Sequence, residues 1–283
     1  MKSIIFYTTV TLYSSFCFGQ TENTTAVSTD SITPKSTLTL GAVYANNASY
    51  YGQKSEEKTP YAALAATYRF KSGFYLSGLA YKLLNDKTSS VSASSLGAGV
   101  NFKLSQKLTA DLSYSHSFYP AYSPLLQAAN ADNASLSFTQ ESWLNVGLTG
   151  DYAFGKTNDG FVTGAISKSI NLFSISKKDI VTISPSADVV AGTQHFYQTY
   201  LKEQKLRDSL LGIILGTPPQ GSSDTVSKTS FNVLSYNFKL PLAYNRSHYV
   251  LEAAYQLSVL SSQAQSGAGK ANSFVTISFY YQF

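Results

Sequence analysis

Apolar and polar residues alternate with a period of two along most of the chain. In TLTLGAVYA, for example, Leu38, Leu40, Ala42 and Tyr44 fall on one face, and YAALAATYRF repeats this arrangement. A period of two is typical of a β-strand with one apolar and one polar face. The alternation therefore predicts an all-β fold with twelve strands, at residues 37–48, 60–71, 73–84, 91–104, 107–118, 128–140, 143–154, 160–172, 179–193, 229–243, 248–261 and 272–283.

The connections between the predicted strands alternate between short and long. Short ones lie around Ser72, Ser105, Glu141, Ser176 and Asn245, and the alternating set includes the longer segments 49–59, 194–228 and 262–271. Transmembrane barrels have short turns on one rim, long loops on the other and an even number of strands. We therefore expect a transmembrane antiparallel up-and-down β-barrel, and we keep the weakly alternating segment 128–140 as its sixth strand.

The composition favours a membrane barrel over a soluble one. Charged residues make up 13% of the chain and aromatic residues 14%. A soluble sandwich or barrel, which is the alternative, would need more charge to cover its outward faces. The sequence also lacks an apolar run of about 20 residues, the length that a transmembrane helix requires.

The last predicted strand carries the most specific pattern. SFVTISFYYQF places Val275, Ile277, Phe279, Tyr281 and Phe283 on one face. This strand is similar to the closing strand of Gram-negative outer-membrane β-barrel proteins, which commonly ends in Phe and is read by the barrel-assembly machinery. The resemblance implies a multi-pass barrel in the cell outer membrane, with periplasmic turns, extracellular loops and lipid around it. It also implies an assembly signal at Phe283, Tyr281 and Phe279.

A second segment, SPSADVVAGTQHFYQTY, resembles small uncharacterised outer-membrane proteins of the Bacteroidota. That narrower resemblance brings no activity with it.

The first residues are typical of a secretory signal peptide. Lys2 precedes an apolar stretch, and Cys17 and Gly19 are small residues suited to a cleavage site after Gly19. This predicts a signal peptide at 1–19, a polar periplasmic tail at 20–36 and the barrel at 37–283, with a buried first strand as the alternative for the apolar stretch. Because Cys17 is the only cysteine, the mature chain would have no disulfide and no thiolate metal site.

The alternation also predicts which charges face the lumen. They are Arg69, Lys82, Lys103, Asp111, Asp151, Asp188, Lys239 and Glu252. These side chains could form a paired network that fills a narrow barrel, or a hydrated constriction that selects solutes by charge. A two-residue turn at Asn245 and Arg246 would place Lys239 directly opposite Glu252, where the pair would fix the strand register.

The longest connection, residues 194–228, contains YLKEQKLRDSLLGIIL. Leu201, Leu206, Leu210 and Ile214 recur there near helical spacing, among several charged residues. Two interpretations are open: a short amphipathic helix that covers the barrel mouth, or a surface loop that packs on its neighbours.

Several function classes receive little support from the residues. The three histidines are His116, His195 and His248, and the serines beside His116 would point to the opposite face of their strand. We therefore predict no catalytic residue, no cofactor and no metal site. The net charge of +5 comes without a Lys/Arg run, so nucleic acid is not an expected partner.

The predicted function is a small porin-like passive channel for small solutes. Twelve strands give a bore between that of the filled eight-stranded barrels and that of the open porins. A non-conducting barrel with a structural or loop-mediated binding role is the alternative, and an outer-membrane lipid hydrolase is the third possibility.

Overall fold

The computed structural model describes residues 4–7, 19–22, 35–86, 89–215 and 230–283, with side chains at 35–86, 89–206 and 230–283. In this part of the chain, twelve antiparallel strands form a closed barrel, which confirms the predicted fold. Each strand pairs with the next one along the chain, and the last pairs with the first. The strands are β1 (Thr37–Ala45), β2 (Tyr61–Arg69), β3 (Phe74–Leu83), β4 (Ala93–Lys103), β5 (Leu108–Phe118), β6 (Asp132–Gln140), β7 (Asn145–Phe154), β8 (Asn158–Ser167 and Ile170–Phe173), β9 (Asp179–Ile183 and Ser186–Gly192), β10 (Asn232–Arg246), β11 (Tyr249–Leu260) and β12 (Ala271–Gln282).

Two strands are interrupted near one rim of the barrel. Both β8 and β9 consist of two segments, and Ser184 and Pro185 separate those of β9. Proline has no N–H to donate to a sheet, so it is placed at breaks and edges. Beyond the interruption, Ile170–Phe173 of β8 pairs with Asp179–Ile183 of β9.

The helix His195–Leu215, which we call α1, is the only α-helix among the described residues. A 3₁₀-helix, Leu126–Ala129, precedes β6. No helix in the described ranges combines the length and apolarity needed to cross a membrane.

A separate pair of short strands lies before the barrel in the sequence. Ile4–Tyr7 pairs antiparallel with Gly19–Glu22, and residues 8–18 and 23–34 lie outside the described part of the chain. The signal peptide with cleavage after Gly19 and the polar tail at 20–36 stay predictions.

The two faces of the wall differ as the alternation predicts. Leu64 is 68% exposed, whereas Ala63 and Ala65 on either side are buried. The outward face carries aromatic residues toward both rims and mainly aliphatic residues between them. Exposed aromatic residues toward the rim that holds Thr37 and Gln282 include Tyr68, Phe74, Phe102, Phe138, Trp143 and Tyr281, and those toward the other rim include Tyr44, Tyr114, Phe118, Tyr152, Tyr236 and Tyr255.

The connections separate the two rims. The terminal rim, which holds the start of β1 and the end of β12, has only short connections: 70–73, 104–107, 141–144, 174–178 and 247–248. The loop rim has the connections 46–60, 84–92, 119–131, 155–157, 193–231 and 261–270. The predicted asymmetry is therefore present, although 155–157 is a short turn on the loop rim.

The predicted pairing of Lys239 with Glu252 is wrong. β10 continues to Arg246 and turns at residues 247–248, so Lys239 lies opposite Gln256 and Glu252 lies opposite Ala243. Moving a two-residue turn by two positions shifts every cross-strand partner by four residues but leaves each side chain on the same face. The face assignment of Lys239 was therefore unaffected by the error in register.

The sixth strand also begins later than predicted. β6 starts at Asp132 rather than at residue 128, because Leu126–Ala129 forms the 3₁₀-helix instead of a strand. All four residues of this 3₁₀-helix are buried.

Candidate functional site

The connection 46–60 folds into the barrel instead of away from it. Tyr50 and Gln53 form an isolated antiparallel bridge with backbone hydrogen bonds of 2.8 and 3.0 Å. Tyr51 and Gly52 between them have φ values of 51° and 79°. Two successive positive φ values are those of a tight hairpin turn, in which glycine is favoured. We call residues 50–53 the loop tip.

The loop tip reaches the wall formed by β10 and β12. Ser235 Oγ donates a hydrogen bond to the Tyr51 carbonyl oxygen at 2.9 Å, and Asn272 Nδ2 donates to the Gly52 carbonyl oxygen at 3.2 Å. A Cβ atom on Gly52 would lie 2.6 Å from both Asn237 Oδ1 and Ser235 Oγ. Glycine is therefore required at position 52 by close approach as well as by φ.

Beside the loop tip lies an ion pair, which we call the lumen pair. Lys239 Nζ is 2.8 Å from Asp188 Oδ2, and both side chains are less than 10% exposed. Asn237 Nδ2 donates to Asp188 Oδ1 at 2.6 Å. Buried charges are stable when they are paired and hydrogen-bonded in this way. Because β10 extends to Arg246, Lys239 lies midway along its strand and not near the terminal rim.

Three further predicted lumen charges lie at different depths. Toward the terminal rim, Asp111 is buried and accepts a hydrogen bond from the Tyr75 hydroxyl at 2.9 Å, and Arg69 Cζ lies 5.0 Å from the centroid of the Tyr75 ring. Nearer the loop rim, Asp151 is buried and lies 3.5 Å from Asn133 Nδ2.

Three more residues complete the predicted set. Lys103 is exposed at the terminal rim, and Glu252 is buried on an inward position of β11. Lys82, in contrast, lies on the outward face, because its neighbours Tyr81 and Leu83 are both buried in the core. The Lys82 ammonium group donates to the carbonyl oxygens of Asp86 and Ser89 in the 84–92 connection. The assignment of Lys82 to the lumen was therefore wrong. A lysine can occupy the outward face near a rim because its long side chain extends to polar loop atoms.

The start of α1 is fixed to the wall by Asp159 of β8. This carboxylate is fully buried and accepts hydrogen bonds from Asn130 Nδ2 at 2.9 Å and from Thr193 Oγ1 at 2.7 Å. It also accepts from the backbone N–H groups of His195 and Phe196 at 2.8 and 2.9 Å. A carboxylate at a helix N-terminus satisfies free N–H groups and interacts favourably with the helix dipole.

Aromatic side chains pack together in the mouth of the barrel at the loop rim. Tyr51 stacks on Phe161 with ring centroids 3.6 Å apart, and Tyr50 contacts Phe196 edge-on at 4.8 Å. Burial and the nearby Glu56 carboxylate raise the pKa of Tyr197 to about 12. We call this group the mouth cluster: Tyr50, Tyr51, Phe161, Phe196, Tyr197 and Tyr200.

The helix in the long connection begins earlier than the pattern indicated. α1 starts at His195, and its buried contacts come from Phe196, Tyr197 and Tyr200, with Leu201 partly buried. Leu206 is 46% exposed, and the side chains of Leu210 and Ile214 lie outside the described residues. Of the two chosen apolar positions whose side chains are described, Leu201 packs on the mouth cluster and Leu206 does not.

The apolar part of the lumen wall was not predicted from the sequence. The inward faces of β1, β2 and β3 are largely apolar, with Val43, Tyr61 and Tyr81 in one buried core cluster that Tyr280 of β12 joins. The polar inward residues described above lie mainly on β5 to β10. The sequence signal was present, because YAALAATY in β2 is apolar on both faces.

A histidine and a carboxylate, two residue types used in catalysis, lie together on the outward face of β5 and β6. His116 Nδ1 lies 2.7 Å from Asp132 Oδ1, and the Tyr114 hydroxyl donates to the same oxygen at 2.5 Å. Ser115 and Ser117 flank His116 and occupy inward positions, so neither shares its face. The other histidines lie at the start of α1 and in the 247–248 turn. Within the described ranges, no group of three His, Cys, Asp or Glu residues could hold a metal ion.

Comparison with known proteins finds solved structures of low sequence identity. No protein-family model matches the chain, and no curated protein matches its sequence. Among solved structures, a KdgM porin is 12% identical with a TM-score of 0.49 and covers 87% of this chain and 99% of its own. A NanC porin is 9% identical with a TM-score of 0.43, covering 86% and 98%. LpxR from Salmonella typhimurium is 9% identical with a TM-score of 0.44, covering 87% and 99%.

These neighbours belong to the class of outer-membrane β-barrels, which includes porins and channels. The described part of the chain itself forms a closed twelve-stranded antiparallel barrel.

Proposed function

We propose that this protein is an integral β-barrel of a Gram-negative outer membrane and forms a narrow passive channel for small polar solutes. The single observation that carries the proposal is the loop tip, which folds into the lumen and contacts a polar wall beside the lumen pair. An inserted loop that faces fixed charges is an arrangement that selects solutes by size and charge. The start of α1 packs with the mouth cluster at the loop rim.

The outer surface supports a membrane location. Large apolar side chains are exposed all around the wall, with aromatic residues toward both rims. Exposed apolar surface of this extent is unfavourable in water but suits a hydrocarbon layer with aromatic girdles at its two interfaces. The narrower resemblance of residues 184–200 to proteins of the Bacteroidota stays a prediction.

The inner surface supports a conducting role. A purely structural barrel could be filled by apolar side chains, as the wall of β1 to β3 is. Instead, Asp111, Asp151, Asp188, Lys239 and Glu252 are kept on inward positions. An aqueous path lined by such fixed charges would select solutes by charge, which supports a channel better than a lumen filled with apolar side chains would.

A second candidate is a non-conducting barrel that binds a partner through its loops. The mouth cluster favours this candidate, because the buried aromatic rings leave α1 firmly packed at the loop rim. A lipid-hydrolase role gains less support, since the serines beside His116 lie on the other face of their strand.

Conductance measurements decide between these candidates. We expect the refolded protein in a planar bilayer to show discrete current steps with long closed intervals. Liposomes containing it should swell with small neutral sugars and not with large ones. A refolded barrel that carries no current, both as the full chain and with residues 198–226 deleted, would contradict the channel and favour the loop-binding role.

Assembly gives an independent test of the outer-membrane location. Phe283 donates its backbone N–H to the Leu38 carbonyl oxygen at 2.9 Å, and its ring lies 4.7 Å from that of Tyr281. We propose that the barrel-assembly machinery recognises this strand. Deleting Phe283 should lower the amount of heat-modifiable barrel in outer-membrane fractions several-fold, while Phe283→Trp should retain it. Equal amounts from all three chains would contradict this role.

A further inference from the structure

One part of the wall extends past its neighbours at the terminal rim. β7 begins at Asn145, which pairs with Ser167, whereas β8 resumes as Ile170–Phe173. That second segment pairs with β9 on one side and has no partner strand on the other in the described part of the chain. We call residues 168–178 the rim hairpin.

The rim hairpin exposes four large apolar side chains, those of Ile170, Leu172, Phe173 and Ile175. All four residues of Ile170–Phe173 are exposed, with Leu172 at 46% and Phe173 at 58%, and Ile175 beyond them is 71% exposed. Trp143, in the adjacent 141–144 turn, is 79% exposed. An apolar patch on both faces of an unpaired edge indicates contact with something other than water.

Basic side chains accompany this patch. Lys168 Nζ lies 4.1 Å from the centroid of the Trp143 ring and donates to the Trp143 carbonyl oxygen at 3.0 Å. Lys177 and Lys178 are exposed at the end of the rim hairpin. The neighbouring Asp179 carboxylate is already engaged by the backbone N–H of Ile175 at 2.8 Å and by other groups of the turn. The patch therefore combines apolar surface with three lysines.

We propose that the rim hairpin and Trp143 form a binding surface for the headgroups of anionic phospholipids in the leaflet that meets the terminal rim. The inference rests on the proposed membrane location. Two observations select lipid over a protein partner: the apolar patch continues the outward row that contains Ile166, and its charges are complementary to phosphate. Trp and Lys side chains favour the boundary between acyl chains and headgroups.

Two other turns of the terminal rim also carry lysines and provide a control for the effect of charge alone. Lys71 lies in the 70–73 turn and Lys107 in the 104–107 turn, so they place positive charge at the same rim. Neither turn carries an exposed strand extension like Ile170–Phe173. A double variant at these two lysines therefore changes the charge of the rim without touching the rim hairpin.

The only tryptophan of the chain lies in the proposed surface, which makes fluorescence quenching a direct test. The folded full-length barrel is placed in vesicles of phosphatidylcholine and phosphatidylglycerol, and one of the two lipids is brominated near the headgroup end of an acyl chain. We expect brominated phosphatidylglycerol to quench Trp143 more than brominated phosphatidylcholine does at equal mole fraction. The local enrichment should be about two- to fivefold, which is the effect expected if about one lysine contributes its full attraction to an anionic surface.

The variant comparison separates specific contacts from general charge. Lys168→Gln, Lys177→Gln and Lys178→Gln together should make quenching by the two lipids equal, whereas Lys71→Gln with Lys107→Gln should preserve the difference. High salt should also reduce the difference. Equal quenching by both lipids in the parent barrel, or the same loss in both sets of variants, would overturn headgroup binding. Absence of quenching by either lipid would show that Trp143 does not contact the bilayer, which would also overturn the proposal.

The same samples distinguish failure of this inference from failure of the proposed function. Conductance depends on the lumen and not on the rim hairpin, so channel activity without lipid preference would overturn the lipid surface alone. A barrel that does not insert into any of these vesicles would contradict both.

Discussion

Replacing Asp159 with Asn should raise the open probability of the channel by about one to two orders of magnitude. The fully buried carboxylate accepts hydrogen bonds from Asn130, Thr193 and the first N–H groups of α1. The side-chain amide of Asn keeps one oxygen as an acceptor. Its NH₂ group is a donor, and it would face the groups that donate to Asp159. Loss of hydrogen bonds to a charged group costs about 1.5–3 kcal/mol, and each 1.4 kcal/mol is a factor of ten in an equilibrium.

The measurement is single-channel recording of the folded variant, with heat-modifiability on a gel to show that the barrel is intact. Asp132→Asn is a matched control, because Asp132 also forms hydrogen bonds near the loop rim but lies on the outward face. Deleting residues 198–226 removes most of α1 and should likewise raise conductance or its noise. If Asp159→Asn and this deletion both behave like the parent, α1 is not the lid.

The wall of the barrel could be predicted from the sequence because its residues face two different media. Leu64 and Ala63 are neighbours in the chain, yet one contacts the surroundings and the other the interior, so alternation fixes both the strand and its orientation. Lys82 did not follow this rule: its side chain lies at the end of a strand, where a charged group on the outward face can bind loop carbonyls.

The interior arrangement could not be predicted in the same way. The loop tip is recognised by the positive φ of Tyr51 and Gly52 and by the contacts of Gly52 with Asn237 and Ser235, which are remote in sequence. Similarly, Asp159 reads as one more inward carboxylate until the fold brings the start of α1 onto it. Contacts between distant segments decide these features, and no local pattern encodes them.

The lumen pair illustrates how a register error changes a functional conclusion. A turn placed two residues early paired Lys239 with Glu252, which left Asp188 without a predicted partner. With the turn at 247–248, Lys239 instead binds Asp188. Substitution of either residue therefore leaves the charge of the other without its partner in the ion pair.

Asp188→Asn should shift ion selectivity toward anions, and the shift should be larger than the loss of one isolated carboxylate would produce. The substitution leaves the Lys239 ammonium group without its partner beside the loop tip. Lys239→Gln should shift selectivity toward cations by the opposite argument. The reversal potential in a salt gradient measures both changes, and both should grow at low salt, where screening is weaker. Lys103→Gln, at the exposed terminal rim, should have a smaller effect.

The double variant Asp188→Asn with Lys239→Gln shows whether the two charges act as a pair. Each single variant leaves a buried charge uncompensated, which typically costs about 3–5 kcal/mol, whereas removing both charges leaves two neutral groups able to hydrogen-bond. We therefore expect the double variant to recover most of the thermal stability lost by either single variant and to regain near-parental selectivity. Stability effects that simply add would show that the two residues do not interact. If stability follows the pair but selectivity does not change in any variant, the lumen pair supports the wall and ions pass along another part of the lumen.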